Sequence, residues 1–242
     1  MGANAQTSVP AFTAGQVLTA AQVTQINTGI PVFESSTERD AAFGGSGEKT
    51  LAEGQMAYLE DTNATQYYDG SSWAAVAGGK ILQVVSTTKT DTFTATIAAA
   101  GGSASVTGLT AAITPSSATS NILVMVDING TRDVGGGNGY PQVTFSITRG
   151  GTAISVGDTA GSRVSITNGI IAPVGGVNSL GAASATFLDS PSTTSSTTYG
   201  VDIHSLTSST NVTYYVNRSV TDTSSVTYPR ATSTITVMEV SA

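Results

Sequence analysis

Residues 199–216 read YGVDIHSLTSSTNVTYYV, and this stretch decides the fold. Tyr199, Val201 and Ile203 alternate with Gly200, Asp202 and His204, the period-two pattern of a half-buried strand. A run rich in Ser and Thr follows, and the alternation resumes at Val212, Tyr214 and Val216. Val143, Phe145 and Ile147 show the same pattern, as do Ile235 and Val237. Turn-forming clusters punctuate these runs at Asn129-Gly130, 135–139, Gly150-Gly151, 173–178 and 191–196. Short strands with frequent turns predict an antiparallel β-sandwich of jelly-roll type over 81–242. Ile122 to Val126 is continuously apolar, which predicts a central strand buried on both faces. No helix is expected after Phe43.

Composition supports a β-rich surface protein. Charged residues make up 10% of the chain, against roughly 25% in an average globular protein. Apolar residues reach 39%, so a core can form. Ser and Thr supply the polar surface, and Thr, like Val, suits a pleated strand. A net charge of -7 with no basic run argues against a nucleic-acid partner, because phosphate neutralisation needs clustered Lys and Arg. The absence of cysteine excludes disulfides and thiolate metal sites. The opening MGANAQTSVPAFTAG has neither a basic nor an apolar signal region, and Gln6 breaks the myristoylation pattern, so no export signal or lipid anchor is expected. No apolar run approaches a membrane span, so no membrane insertion is expected.

Gly78-Gly79 marks the main boundary. Before it, residues 13–27 contain one clear helix. Thr19-Ala20-Ala21-Gln22 matches a capping box, and the near repeat TAGQV at 13–17 suggests a related turn. Val23 and Ile26 share a face, with Ala20 or Leu18 nearby; the helix is too short to stand alone and needs a docking partner. A short strand is expected over 30–34 and a capped helical turn over 36–43. Asp69-Gly70-Ser71-Ser72 lies between Gln66-Tyr67-Tyr68 and Trp73 to Val76, a hairpin signal completing a marginal three-stranded unit.

Catalytic chemistry is sparse. His204 is the single histidine and shares a strand face with Asp202, but no GxSxG or other nucleophile signature is present. Glu60 and Asp61 are adjacent and would point apart on a strand, which does not suit paired-carboxylate hydrolysis. The run at 135–139 lacks the GxxxxGK[ST] pattern and reads as a loop. No catalytic residue, metal ligand or cofactor is assigned, and the chain is expected not to be an enzyme. Tyr67, Tyr68 and Trp73 read as the core of a tiny domain, with a carbohydrate- or partner-binding patch as the alternative.

The segment from Phe33 to Trp73 resembles a module recurrent in tail-fibre and minor virion proteins of tailed bacteriophages. The matching residues are Phe33, Ser35, Glu38 to Ala41, Glu53-Gly54, Tyr58 to Thr62, Tyr68-Asp69-Gly70 and Trp73. FTAGQVLTAAQV at 12–23 is similar to N-terminal segments of such proteins, and the remainder is similar in style to structural proteins of cyanobacterial phages. The resemblance implies a homotrimeric virion protein with an N-terminal anchor and a projecting β-domain.

On this basis residues 1–34 are expected to attach to the virion through Val17, Leu18, Val23 and Ile26. Residues 35–77 are expected to form a trimeric neck packed by Phe33, Tyr58, Tyr67, Tyr68 and Trp73. Residues 78–80 link it to the sandwich of 81–242. Receptor loops are expected at 132–140 and 169–180, with Arg132, Asp133, Asn138, Tyr140 and Asn178 as candidates. The implied role is a tail-fibre or receptor-binding protein that adsorbs to a host-surface glycan. Its partners would be sister chains and other tail or capsid proteins. The alternative role is a capsid decoration protein or head fibre.

Overall fold

The computed structural model describes residues 9, 11–27, 29–44, 48–76, 79–133, 139–140, 142–171 and 176–242, without the side chains of 24–27, 139 and 140. They fall into two compact units, Met1–Gly78 and Gly79–Ala242.

The first unit carries helix α1 (Ala20–Asn27), strand β1 (Val32–Phe33), helix α2 (Ser36–Ala41) and strands β2 (Met56–Leu59), β3 (Ala64–Tyr68) and β4 (Trp73–Ala75). The capping box forms: Thr19 Oγ1 accepts from Gln22 N, and Gln22 Oε1 accepts from Thr19 N at 3.0 Å. The near repeat makes the related turn, with Gln16 Oε1 accepting from Thr13 N at 3.1 Å. The helix starts at Ala20, directly after its Thr19 cap. Helix α2 is capped by Ser35, whose hydroxyl accepts from Glu38 N.

The sheet order is β1-β2-β3-β4, so the short strand expected over 30–34 forms and joins the expected three-stranded unit as a fourth strand. The extra strand lies inside the segment assigned to attachment, and it pairs parallel to β2, with Phe33 opposite Leu59. Burial explains this: Phe33, Ala42, Ala57 and Leu59 form the core, and Phe33 is fully buried. The Asp69 hairpin turn is held by its carboxylate, which accepts from Ser71 N at 2.8 Å and Ser72 N at 2.7 Å. These bonds lower the Asp69 pKa.

The second unit holds β5 (Ile81–Lys89), β6 (Phe93–Ile97), β7 (Ser103–Ile113), β8 (Asn121–Asp133), β9 (Gly139–Tyr140) and β10 (Gln142–Arg149). It continues with β11 (Thr152–Ile154), β12 (Asn168–Ile171), β13 (Gly181–Asp189), β14 (Thr197–His204), β15 (Val212–Val216) and β16 (Ser233–Val240). Among the described residues, no helix follows α2. One sheet runs β5-β16-β8-β13, with β6 and β15 extending the β5 and β16 rows. The other runs β7-β14-β10, with β11 and β12 sharing the far side of β10. Leaving aside the two-residue β9, and counting β5–β6, β11–β12 and β15–β16 each as one interrupted strand, gives eight strands. Their orders are then 1-8-3-6 and 2-7-4-5, which is jelly-roll topology.

The inward faces supply one core, including Ile122, Val124, Val126, Ile128, Phe145, Ile147, Tyr199, Val201, Ile203, Ile235 and Val237. The expectation that 122–126 is buried on both faces fails: Met125 is exposed and Leu123 half-buried. The outer face of a two-layer sandwich has no third layer to cover it.

Two polar devices close one end, both opposite Ile122 of β8. At the end holding Ile81 and Val240, Glu239 is buried and accepts from Ser116 N (2.7 Å), Ser116 Oγ (2.6 Å) and Gln83 Nε2 (2.6 Å). Burial alone pushes its carboxyl up, but the Ser116, Gln83 and Ser120 hydrogen bonds outweigh it and hold the pKa down to about 2, against an ordinary 4.5. A depressed carboxylate stabilises the fold above the unfolded pKa and loses that contribution as pH falls. Urea titrations should show Glu239→Ala less stable than wild type by about 2 kcal/mol at pH 7. That gap should close between pH 4.5 and pH 2. A gap that persists at pH 2 would refute the assignment. The second device is the buried Asp189, which accepts from Arg149 and from the Tyr199 hydroxyl.

Candidate functional site

The strand split at β5/β6 and the strand split at β15/β16 occur at one level, and Asn217 is the reason. It sits in the left-handed region at φ 61°, which Asn tolerates better than most residues, and it is fully buried. Its Nδ2 donates to Lys89 O at 2.8 Å and Asp91 O at 3.0 Å, and its Oδ1 accepts from Ser233 Oγ at 2.6 Å. Both breaks are thereby satisfied by one side chain. The chain leaves the sheet after Val216 and returns at Ser233, while β15 and β16 both stay paired to β8.

The excursion is clamped at its base. Arg230 Nη2 reaches both Asp222 oxygens, at 2.6 and 2.7 Å. Arg218 lies 3.4 Å from the same carboxylate, and its guanidinium stacks 4.6 Å over the Tyr215 ring. Arg218 also donates to Ser219 O at 3.0 Å and Val220 O at 2.5 Å. Two cations on one anion leave a positive surplus at the base. Above it, Asp222, Thr223, Ser225, Val226, Tyr228 and Arg230 line an open cleft, and Val226 is fully exposed. Hydroxyls, a tyrosine and a paired arginine in one cleft suit a hydroxyl-rich or anionic ligand.

Other loops meet this one. Thr221 N donates to Val177 O at 3.2 Å, which joins the insertion to the 176–180 loop that carries exposed Asn178. Tyr214 pairs with Arg132, so Arg132 and Asp133, at the end of β8, lie beside the strand that feeds the insertion. All lie toward the end of the sandwich opposite Ile81 and Val240. Of the expected receptor residues, Arg132, Asp133 and Asn178 thus share one end. Asn138 lies outside the described residues. Tyr140 pairs with Arg132 through its backbone, and its side chain lies outside the described set.

The sequence reading did not single out Asp222, Tyr228 or Arg230. A signal was available: two of the six basic residues after Lys80 bracket an acid across a stretch with no period-two pattern.

The first unit places its expected residues differently from one another. Val17, Leu18 and Val23 are exposed, and the Ile26 side chain lies outside the described set. Phe33 is buried within its own chain. Trp73 is half-buried, 5.9 Å from Phe43 and 5.7 Å from Tyr68. The buried Arg39 lies 4.6 Å over the Trp73 ring and donates to Asp40 and to Gln66 Oε1. Tyr58 donates to Asn63 Oδ1 at 3.0 Å, and Tyr67 is exposed.

His204 is half-buried, and its Nε2 is buried without a hydrogen-bond partner. Burial pushes its pKa down, opposed by Asp202. Among the described residues, no group of three His, Cys, Asp or Glu side chains is placed to hold a metal.

No family model and no curated protein match the chain. A solved structure described as infectious bursal disease virus Gx strain is similar over 72% of this chain and 45% of that one, at 11% identity and a TM-score of 0.30. The chain spans less than half of that protein's length, and a superposition this loose fixes neither fold nor function.

Proposed function

We propose that this chain is a bacteriophage virion structural protein of the tail-fibre type, a homotrimer that adsorbs to a host-surface glycan without a catalytic step. The observation that supports this most is the clamped insertion at 217–232, gathered with Arg132, Asp133 and Asn178 at one end of a rigid sandwich. Recognition is carried disproportionately by loops on such scaffolds. The exposed Phe12, Val17, Leu18 and Val23 support an attachment role for the N-terminal segment, since the fold leaves them uncovered. Individual contacts would be weak, and several fibres per particle would supply avidity.

Flow binding of the purified full chain to host cells tests this. Asp222→Ala should keep the fold, because ion pairs at partly exposed sites contribute about 1 kcal/mol or less, yet lower binding at least tenfold. Absence of wild-type binding would sink the receptor role. Copy number separates the alternative: hundreds of copies per particle would mark a capsid decoration protein or head fibre. Reducing ends released from host envelope would mark an enzyme.

A further inference from the structure

A second cavity opens at the end of the sandwich that carries Arg132 and Tyr214, apart from the Asp222–Arg230 cleft. Three loops wall it. Residues 98–102 follow Ile97 of β6, and residues 205–211 precede Val212 of β15, which pairs with Ile97. These two loops are stitched together. Ala100 N donates to Thr207 O at 2.7 Å, Ser205 N to Gly102 O at 2.9 Å and Ala99 N to Asn211 Oδ1 at 3.2 Å. Ala100 and Gly101 both take positive φ, 58° and 88°, so the chain reverses within two residues. Alanine is strained there, and its bond to Thr207 helps to hold it. The third wall is the loop between β11 and β12. Its Val164 reaches Gly101 so closely that a Cβ at 101 would lie 3.1 Å from Val164 Cγ2.

The cavity measures about 460 Å³, within the roughly 300–1,000 Å³ of small-molecule sites. Leu206, 39% exposed, and half-buried Val164 give it an apolar wall. Ser162, Thr207 and Ser208 bring hydroxyls, and Arg163 brings a cation. Arg149, Arg218 and Arg230 each sit on a carboxylate. Arg163 is exposed, and among the described residues its guanidinium has no ion pair and no hydrogen bond. An apolar wall takes the C–H face of a sugar ring, and hydroxyls take its hydroxyl groups. A free guanidinium takes a carboxylate through two parallel hydrogen bonds. One guanidinium balances one negative charge, which favours a carboxylate over a phosphate dianion. The net charge of -7 supplies no diffuse attraction for anions, so the contact has to be local.

We infer that this cavity binds a carboxylated pyranose, with Arg163 holding the carboxylate and Leu206 and Val164 the ring face. The inference concerns the isolated sugar and does not rest on cell adsorption, which is read by a different variant.

Saturation-transfer NMR on the purified full chain tests it, with galacturonate, N-acetylneuraminate and galactose as probes. At least one acid should bind about tenfold or more tightly than galactose, and the one that binds identifies the sugar type. Arg163→Gln should weaken that binding by about tenfold or more. Its melting should match wild type, because the Arg163 side chain makes no bond among the described residues. Lys80→Gln removes the same charge from an exposed site elsewhere and should bind as wild type does. No transfer to either acid, equal binding of galactose, or undiminished binding by Arg163→Gln would overturn the site. Displacement of the acid by equimolar inorganic phosphate would mark an unselective anion site and overturn the sugar assignment.

Discussion

Asp189→Ala is expected to lower the stability of the second unit by about 3 kcal/mol or more. Asp189 ends β13 in one sheet and is buried. Both its oxygens accept from Arg149 Nη1 at 2.9 Å, and Oδ2 accepts from the Tyr199 hydroxyl at 2.6 Å. Arg149 lies on β10 and Tyr199 on β14, so one carboxylate locks the two sheets together. Removing it leaves a fully buried phenol and a half-exposed guanidinium without their partner. Tyr199→Phe removes only the hydroxyl and should cost about 1–2 kcal/mol. Burial, then the Asp189 hydrogen bond and charge, push the Tyr199 pKa well above 10. The neutral phenol therefore stabilises the fold fully below pH 10, and that contribution is lost as pH rises above it. Chemical denaturation of the two variants measures both effects. A loss under 1 kcal/mol for Asp189→Ala would show that the lock is not formed.

Phe33→Ala should unfold the first unit. Large-to-small changes at a buried Phe cost about 3–5 kcal/mol. Here the buried apolar core is Phe33, Ala42, Ala57 and Leu59, flanked by Val9, Phe43 and Trp73. Units this small bury too little surface to absorb such a loss. Trp73 is the only tryptophan and belongs to this core, so its fluorescence reports the first unit alone. The variant should show the emission of a solvated indole at temperatures where wild type is folded. A native spectrum with a midpoint within a few degrees of wild type would mean that Phe33 is not the centre of this core.

The periodic runs were legible because burial on one face of a strand writes itself into alternate residues. Val143, Phe145 and Ile147, Tyr199, Val201 and Ile203, and Ile235 and Val237 are all buried inward. The capping box at Thr19 and the Asp69 turn were legible for a related reason, since each is satisfied within four residues. The strand Val32–Phe33 was expected, but its parallel partner was not, because a parallel pair needs a long crossover that local pattern does not encode. The continuous apolar run at 122–126 misled for a different reason. Its outward members, Leu123 and Met125, are apolar without being fully buried, and periodicity cannot separate a covered face from an uncovered one.

By itself, then, the sequence determined the β-sandwich, the small hairpin unit before it, the break at Gly78-Gly79 and the capped helix at Ala20. These follow from contacts that are near in sequence or from burial periodicity. Only the tertiary structure decided that Asn217 closes two strand breaks at once, that Asp222 clamps the loop it opens, and that Gly101, Arg163 and Leu206 line one cavity. Asn217 and Lys89, and the members of that cavity, are separated by tens of residues along the chain, and the Asp222–Arg230 pair, though eight residues apart, carries no periodic signal. What joins them is strand register, and register is set by the whole sheet.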